Sequence, residues 1–100
     1  MNQQTINVFA KWQVKEGKLN TVLDLLADVA KQSRAEEGNL FYKINQSTTD
    51  ANTLLLSESY KDEAAVADHR GSVHFQSIVV GQIVPLLENR EVFVTTELGI

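Results

Sequence analysis

The chain of 100 residues holds only two histidines, His69 and His74, and both follow closely on Glu58, a carboxylate at the end of the apolar run Leu54-Leu55-Leu56-Ser57. Core packing requires no such grouping, whereas proton chemistry does. Imidazole exchanges protons near neutrality. A carboxylate hydrogen-bonded to one ring nitrogen fixes the tautomer and frees the other nitrogen to take a proton from an acidic phenol or enol. Glu58 shares strand parity with Leu54, Leu56 and Tyr60, which directs its carboxylate toward the core, where it must find donors or become protonated. The expected catalytic set is therefore Glu58, His69 and His74. The spacing leaves open which histidine is the base, and whether Glu58 instead only ties a short helix to the sheet. Tyr42 and Phe75 are expected to line a pocket for a flat substrate, with Trp12 and Phe9 serving as packing. Arg34 and Glu36, where the first helix ends, read as a structural pair or cap. Lys11, Lys43 and Arg34 are the cations a phosphate group could use.

These residues must be positioned by elements that the hydropathy pattern predicts. Thr5–Val14 alternates with period two, Ile6, Val8, Ala10, Trp12 and Val14 against Asn7, Phe9, Lys11 and Gln13, as a strand demands. Lys15-Glu16-Gly17 breaks it. Leu19, Val22, Leu23, Leu26, Val29, Ala30 and Ser33 then recur at helical spacing, in a helix expected to end near Gly38 because glycine tolerates positive φ. A second strand is predicted over about 39–47, a polar hairpin loop over 48–52, and a third strand over 53–60. Asp62 can cap a short helix ending before Gly71. Ser72 can cap a second one, whose stripe of Phe75, Ile78, Val79, Ile83, Leu86 and Leu87 is kinked late by Pro85. Glu91–Leu98 alternates again as a fourth strand. The order β-α-β-β-α-β is that of a ferredoxin-like α+β unit with a four-stranded antiparallel sheet, one domain spanning 1–100.

Composition narrows the function. With 43% hydrophobic and 22% charged residues the chain has the makeup of an ordinary globular domain. A net charge of -4 and nine scattered lysines and arginines argue against nucleic acid as a partner. The absence of cysteine removes thiolate chemistry, disulfides and Cys-type zinc sites. The polar start Met1-Asn2-Gln3-Gln4 lacks a signal-peptide core, and no apolar run reaches membrane length, so a cytoplasmic location without a membrane partner is expected. No glycine-rich phosphate loop or dinucleotide fingerprint is present, and neither a cofactor nor a metal is expected. Two helices can cover one face of the sheet, yet the opposite face carries Phe9, Phe41, Leu55 and Phe93. Packing that face against a second copy would bury it, and a homodimer is expected.

The segments Ser33-Arg34-Ala35-Glu36-Glu37-Gly38-Asn39-Leu40-Phe41-Tyr42, Glu58-Ser59-Tyr60-Lys61-Asp62-Glu63-Ala64-Ala65-Val66-Ala67-Asp68-His69 and His74-Phe75 together resemble the antibiotic biosynthesis monooxygenase domain. The family pattern has a Glu-x-Gly before the second strand, a Glu-x-aromatic ending the third, and a His followed by His-Phe. The resemblance implies a dimeric α+β barrel of ferredoxin-like units. It implies activities that range over cofactor-free quinol and anthrone monooxygenases, haem-degrading enzymes and an isomerase of phosphorylated autoinducer-2, whose Glu-Glu-Gly-Asn-Leu and Tyr-Lys-Asp-Glu wording is especially similar. Where haem-degrading relatives carry Asn, Trp and His, this chain aligns Ala10, His69 and Val79, which removes an axial ligand. The family's Pro before His-Phe is Val73 here, and its usual Trp after the Glu is Tyr60. The leading expectation is a cofactor-independent monooxygenase of a small quinol-like or polycyclic aromatic substrate. The alternatives are the phosphorylated-sugar isomerase and a non-catalytic dimeric ligand-binding domain, because one base would serve oxygenation and enolisation equally.

Overall fold

The alternating first segment becomes strand β1 (Ile6–Val14) in the computed structural model, which describes residues 4–100. Ile6, Val8, Ala10, Trp12 and Val14 are buried on one side, while Phe9 and Lys11 point outward, the result that two-residue periodicity dictates. The polar start Met1-Asn2-Gln3 lies outside the described residues. Gly17, with φ of 81°, turns the chain into helix α1 (Leu19–Arg34), whose Val22, Leu26, Val29, Ala30 and Ser33 form the buried stripe.

Strands β2 (Asn39–Gln46) and β3 (Thr53–Tyr60) form the predicted hairpin. The Asp50 carboxylate holds the loop by accepting from the Thr53 hydroxyl at 2.8 Å and the Asn52 amide at 2.9 Å. Helix α2 (Glu63–Arg70) is capped as expected by Asp62, which accepts from the Ala65 amide at 2.8 Å. The exit of α1 differs from the prediction. The helix closes at Arg34, and among the described residues only Gly17 has positive φ, so Gly38 is not a left-handed cap. Space explains it instead, since a Cβ on Gly38 would collide with the Cβ of Ala65 in α2.

Ser72 caps the following segment through the Phe75 amide at 3.2 Å, as predicted, but helix α3 (Phe75–Ile83) is shorter and wider than expected. It is π-wound, with the Val84 amide bonded to the Val79 carbonyl, and it passes into a tight 3₁₀ turn at Val84–Leu86 around Pro85. Strand β4 consequently starts at Leu87 rather than Glu91, and Leu87, read from sequence as part of the helical stripe, pairs with Val14 instead. The strand ends at Thr95, short of Leu98, because the pairing with β1 ends at Asn7 opposite Thr95.

The sheet order is β2-β3-β1-β4, antiparallel throughout, which is the ferredoxin-like arrangement. α1 and α3 cover one face, packing Val22, Leu26, Val79 and Ile83 onto Trp12, Val14, Leu54 and Leu56. α2 closes the end of that layer over Ile6, Val8 and Tyr60. On the other face Phe9, Leu55 and Phe93 are 47%, 46% and 55% exposed and line an apolar trough of about 390 Å³. Phe41, expected on this face, is half-buried beneath the Lys43 ammonium, 4.7 Å from its ring centroid.

Candidate active site

A cleft opens between the helix side of the sheet and the α2–α3 corner, and Glu58, His69, Tyr42 and Phe75 all line it. Each reaches it for a local reason. Glu58 stands between Leu56 and Tyr60 in the inward-facing row of β3, Tyr42 lies opposite it on β2, and His69 sits in the last turn of α2, which the Asp62 cap anchors. Room for water-sized occupants is about 40 Å³, rising to about 440 Å³ of empty space when the solvent-facing mouth is counted. The outer-face trough is larger, but Glu58 and the two histidines do not line it, so the smaller cleft is the candidate site.

The carboxylate that orders the imidazoles is Glu36. Its Oε2 lies 2.8 Å from His69 Nδ1 and 2.6 Å from His74 Nε2, so one oxygen receives both rings. The turn after α1, read from sequence as structural, carries this group between α2 and the start of α3. Glu58 stands on the other side of His69, its Oε1 at 3.6 Å from Nε2, and accepts a 2.6 Å hydrogen bond from the Tyr60 hydroxyl. A continuous chain results: His74, Glu36, His69, Glu58, Tyr60. The His69 ring is held by neighbours as well as by its hydrogen bond to Glu36, with ring centroids of Tyr60 at 5.1 Å and Phe75 at 5.2 Å. His74 is tied to the same carboxylate but does not line the cleft, so the two histidines differ in position.

Burial sets the electrostatics. Glu58 is 6% exposed, and desolvation pushes its carboxyl above the usual range, against the opposing pull of the Tyr60 hydrogen bond and the charges of His69 and Arg70. The Tyr60 and Tyr42 hydroxyls are driven well above ordinary phenol values, first by burial and then by the nearby Glu58 charge. Both remain donors at any physiological pH. Glu36, His69 and His74 also form a cluster whose potential ligand atoms lie within 4.8 Å of one another. The two short hydrogen bonds to Oε2 account for that cluster with protons alone.

Of the cations expected near a phosphate, none faces the cleft. Arg34 donates through Nε and Nη2 to the Tyr42 carbonyl, at 3.1 and 2.6 Å, and Lys11 and Lys43 lie on the outer face. Arg70 and Arg90 line it instead. Sequence reasoning passed over both, although the parity of β4 places Arg90 on the same side as Val92 and Val94. Trp12, assigned to packing, is also a lining residue, and Ala10 and Val79 keep that wall apolar.

The family model described as antibiotic biosynthesis monooxygenase matches residues 5–80. The chain belongs to that family. The matched span runs from β1 into α3 and includes every residue of this chain of polar contacts. Among proteins of this kind, the Bacillus subtilis (strain 168) protein named "Putative monooxygenase YcnE" is 37% identical over 67 residues, 67% of this chain and 70% of its own length. A solved structure of protein SO0527 from Shewanella oneidensis superposes with a TM-score of 0.89 at 27% identity, over 96% of this chain and 93% of that one. A Nitrosomonas europaea structure named "Putative antibiotic biosynthesis monooxygenase" superposes at 0.88 with 22% identity, over 99% and 95%, and so shares the fold. Membership of the antibiotic biosynthesis monooxygenase family carries a general monooxygenase-like function, and the cleft geometry shows which side chains this member has available for it.

Proposed function

We propose that the protein is a cofactor-independent monooxygenase of a small quinol-like substrate, with the His69–Glu58 pair as the proton acceptor in the cleft. The observation that carries this is the Glu36 oxygen on His69 Nδ1 with Nε2 turned toward Glu58 at 3.6 Å. With the Nδ1 proton held by Glu36, the Nε2 lone pair faces the space where a substrate hydroxyl would sit. His69 takes that proton and Glu36 and Glu58 offset the resulting charge. Tyr42 and Phe75 flank the ring as substrate-binding walls, and His74 acts through Glu36. The limited room favours a single aromatic ring over a polycyclic one.

The substrate anion is itself the reductant. A quinol and dioxygen would give a hydroxyquinone and water: one oxygen atom bonds to a ring carbon, the other leaves as water, and the ring supplies all four electrons. The protein contributes deprotonation, orientation and exclusion of bulk water. The active form is proposed to be a homodimer joined through the Phe9, Leu55 and Phe93 face, acting in the cytoplasm. Oxygen uptake over a panel of quinols, with isotope from labelled dioxygen appearing in the product, tests the reading. Substrate-proton exchange on a ketose phosphate without oxygen uptake would assign the same base to the isomerase reaction, and binding with neither would mark a ligand-binding domain.

A further inference from the structure

We infer that the cleft receives an anionic oxygen group of the substrate, a carboxylate or a phosphate ester, on Trp12 and Arg90 with Arg70 as a further lining cation. This rests on the reading of the cleft as the substrate site, and it adds a substrate class. Three observations converge. Arg70, at the C-terminal end of α2, and Arg90, on β4, both line the cleft. Among the described residues neither guanidinium is committed to an ion pair or a side-chain hydrogen bond, whereas Arg34, Lys15 and Lys61 are each engaged elsewhere. Two uncommitted cations lining one cleft are conspicuous in a chain of net charge -4.

The third observation lies deeper. Trp12 is 3% exposed, lines the cleft, and its indole Nε1–H is buried with no hydrogen-bond partner among the described residues. A buried donor of this kind calls for an acceptor. Trp12 and Arg90 are direct cross-strand partners, on the side of the sheet that the helices face, so one acceptor group could meet the indole N–H and a guanidinium together. The charge of Arg70 also favours ionised Glu58, so this cation is within electrostatic reach of the proton acceptor. An anionic group anchored there would leave an acidic hydroxyl of the same small molecule directed at Glu58 and His69.

The test compares charged ligands with uncharged twins by calorimetric titration under nitrogen, so that no turnover is read. One pair is 2,5-dihydroxybenzoate and 1,4-dihydroxybenzene; the other is dihydroxyacetone phosphate and dihydroxyacetone. The charged member of at least one pair should bind about tenfold tighter or more, the scale of one charge-assisted hydrogen bond. The pair that discriminates identifies carboxylate or phosphate. Arg70→Gln and Arg90→Gln should each reduce the preference several-fold and the double variant should abolish it. Both side chains are exposed, so melting temperatures should be unchanged. No preference in either pair, or one that survives in the double variant, overturns the inference. A charge preference without oxygen uptake would leave this inference standing and remove the oxygenase; oxygen uptake without charge preference would do the reverse.

Discussion

Glu58 is held in a place that disfavours its charge, and that makes its ionisation measurable. Its folded pKa lies above the ordinary carboxyl value of 4.5, chiefly through desolvation, so across the window from there upward the folded state holds a proton that the unfolded state has released. Stability contributed by this group is complete below the window and is lost as pH rises through the folded pKa. The Glu58→Gln variant, which still accepts from Tyr60, should show a flatter profile of melting temperature against pH over that window and at neutral pH be at least as stable as the parent. Its turnover should fall. His69→Ala should lose roughly 10² to 10⁴ in kcat if the imidazole transfers the proton. Glu36 acts through His69, so it is a positioning residue. Glu36→Gln should lower kcat by roughly 10² and release the His69 tautomer, visible in its ring ¹⁵N shifts, with little change in melting temperature. Near-parental rates in all three would reduce the set to struts.

At the level of elements, two glycines are required for different reasons. Gly17 is needed for its backbone, with φ of 81° and open space where a side chain would go, so Gly17→Ala should cost about 1 kcal/mol. Gly38 is needed for its missing Cβ. The turn after α1 is pressed against α2 there, with the Lys61 amide on the Gly38 carbonyl at 2.8 Å, and Gly38→Ala should cost about 1–3 kcal/mol in denaturant unfolding. Activity should fall with it, because that turn carries Glu36 and α2 carries His69. A variant as stable and active as the parent would show that the turn yields without consequence.

The whole molecule leaves an apolar sheet face and the edge strand β4 open. Phe9 and Phe93 are cross-strand partners at its centre, and a patch of this kind is rarely left to water. Sheet-to-sheet packing of two copies would bury it. The parent chain should sediment as a dimer at micromolar concentration, and Phe9→Glu with Phe93→Glu should shift it to monomer while the far-ultraviolet circular dichroism is retained. A parent mass of one chain would end the proposal.

The sequence by itself determined the element order, the inward set of β1, the buried stripe of α1 except Leu23, which is exposed, and the caps at Asp62 and Ser72, because each rests on local periodicity or on one side chain and its neighbouring amides. It also marked Glu58, His69, Tyr42 and Phe75, all of which the structure brings to one cleft. Its reading failed where the deciding contact is distant in sequence. Leu87 fits a helical stripe and a strand equally, and only its pairing with Val14 makes it the start of β4. Glu36 looked like a helix-end residue until folding brought His69 and His74 to the same oxygen. Arg70 and Arg90 lie on elements that meet only across the cleft, and Gly38 is explained by Ala65 rather than by its own φ. Periodicity assigns a side chain to a face; which faces meet, and therefore which charges share a site, is decided by the packing of α2 and α3 against the sheet.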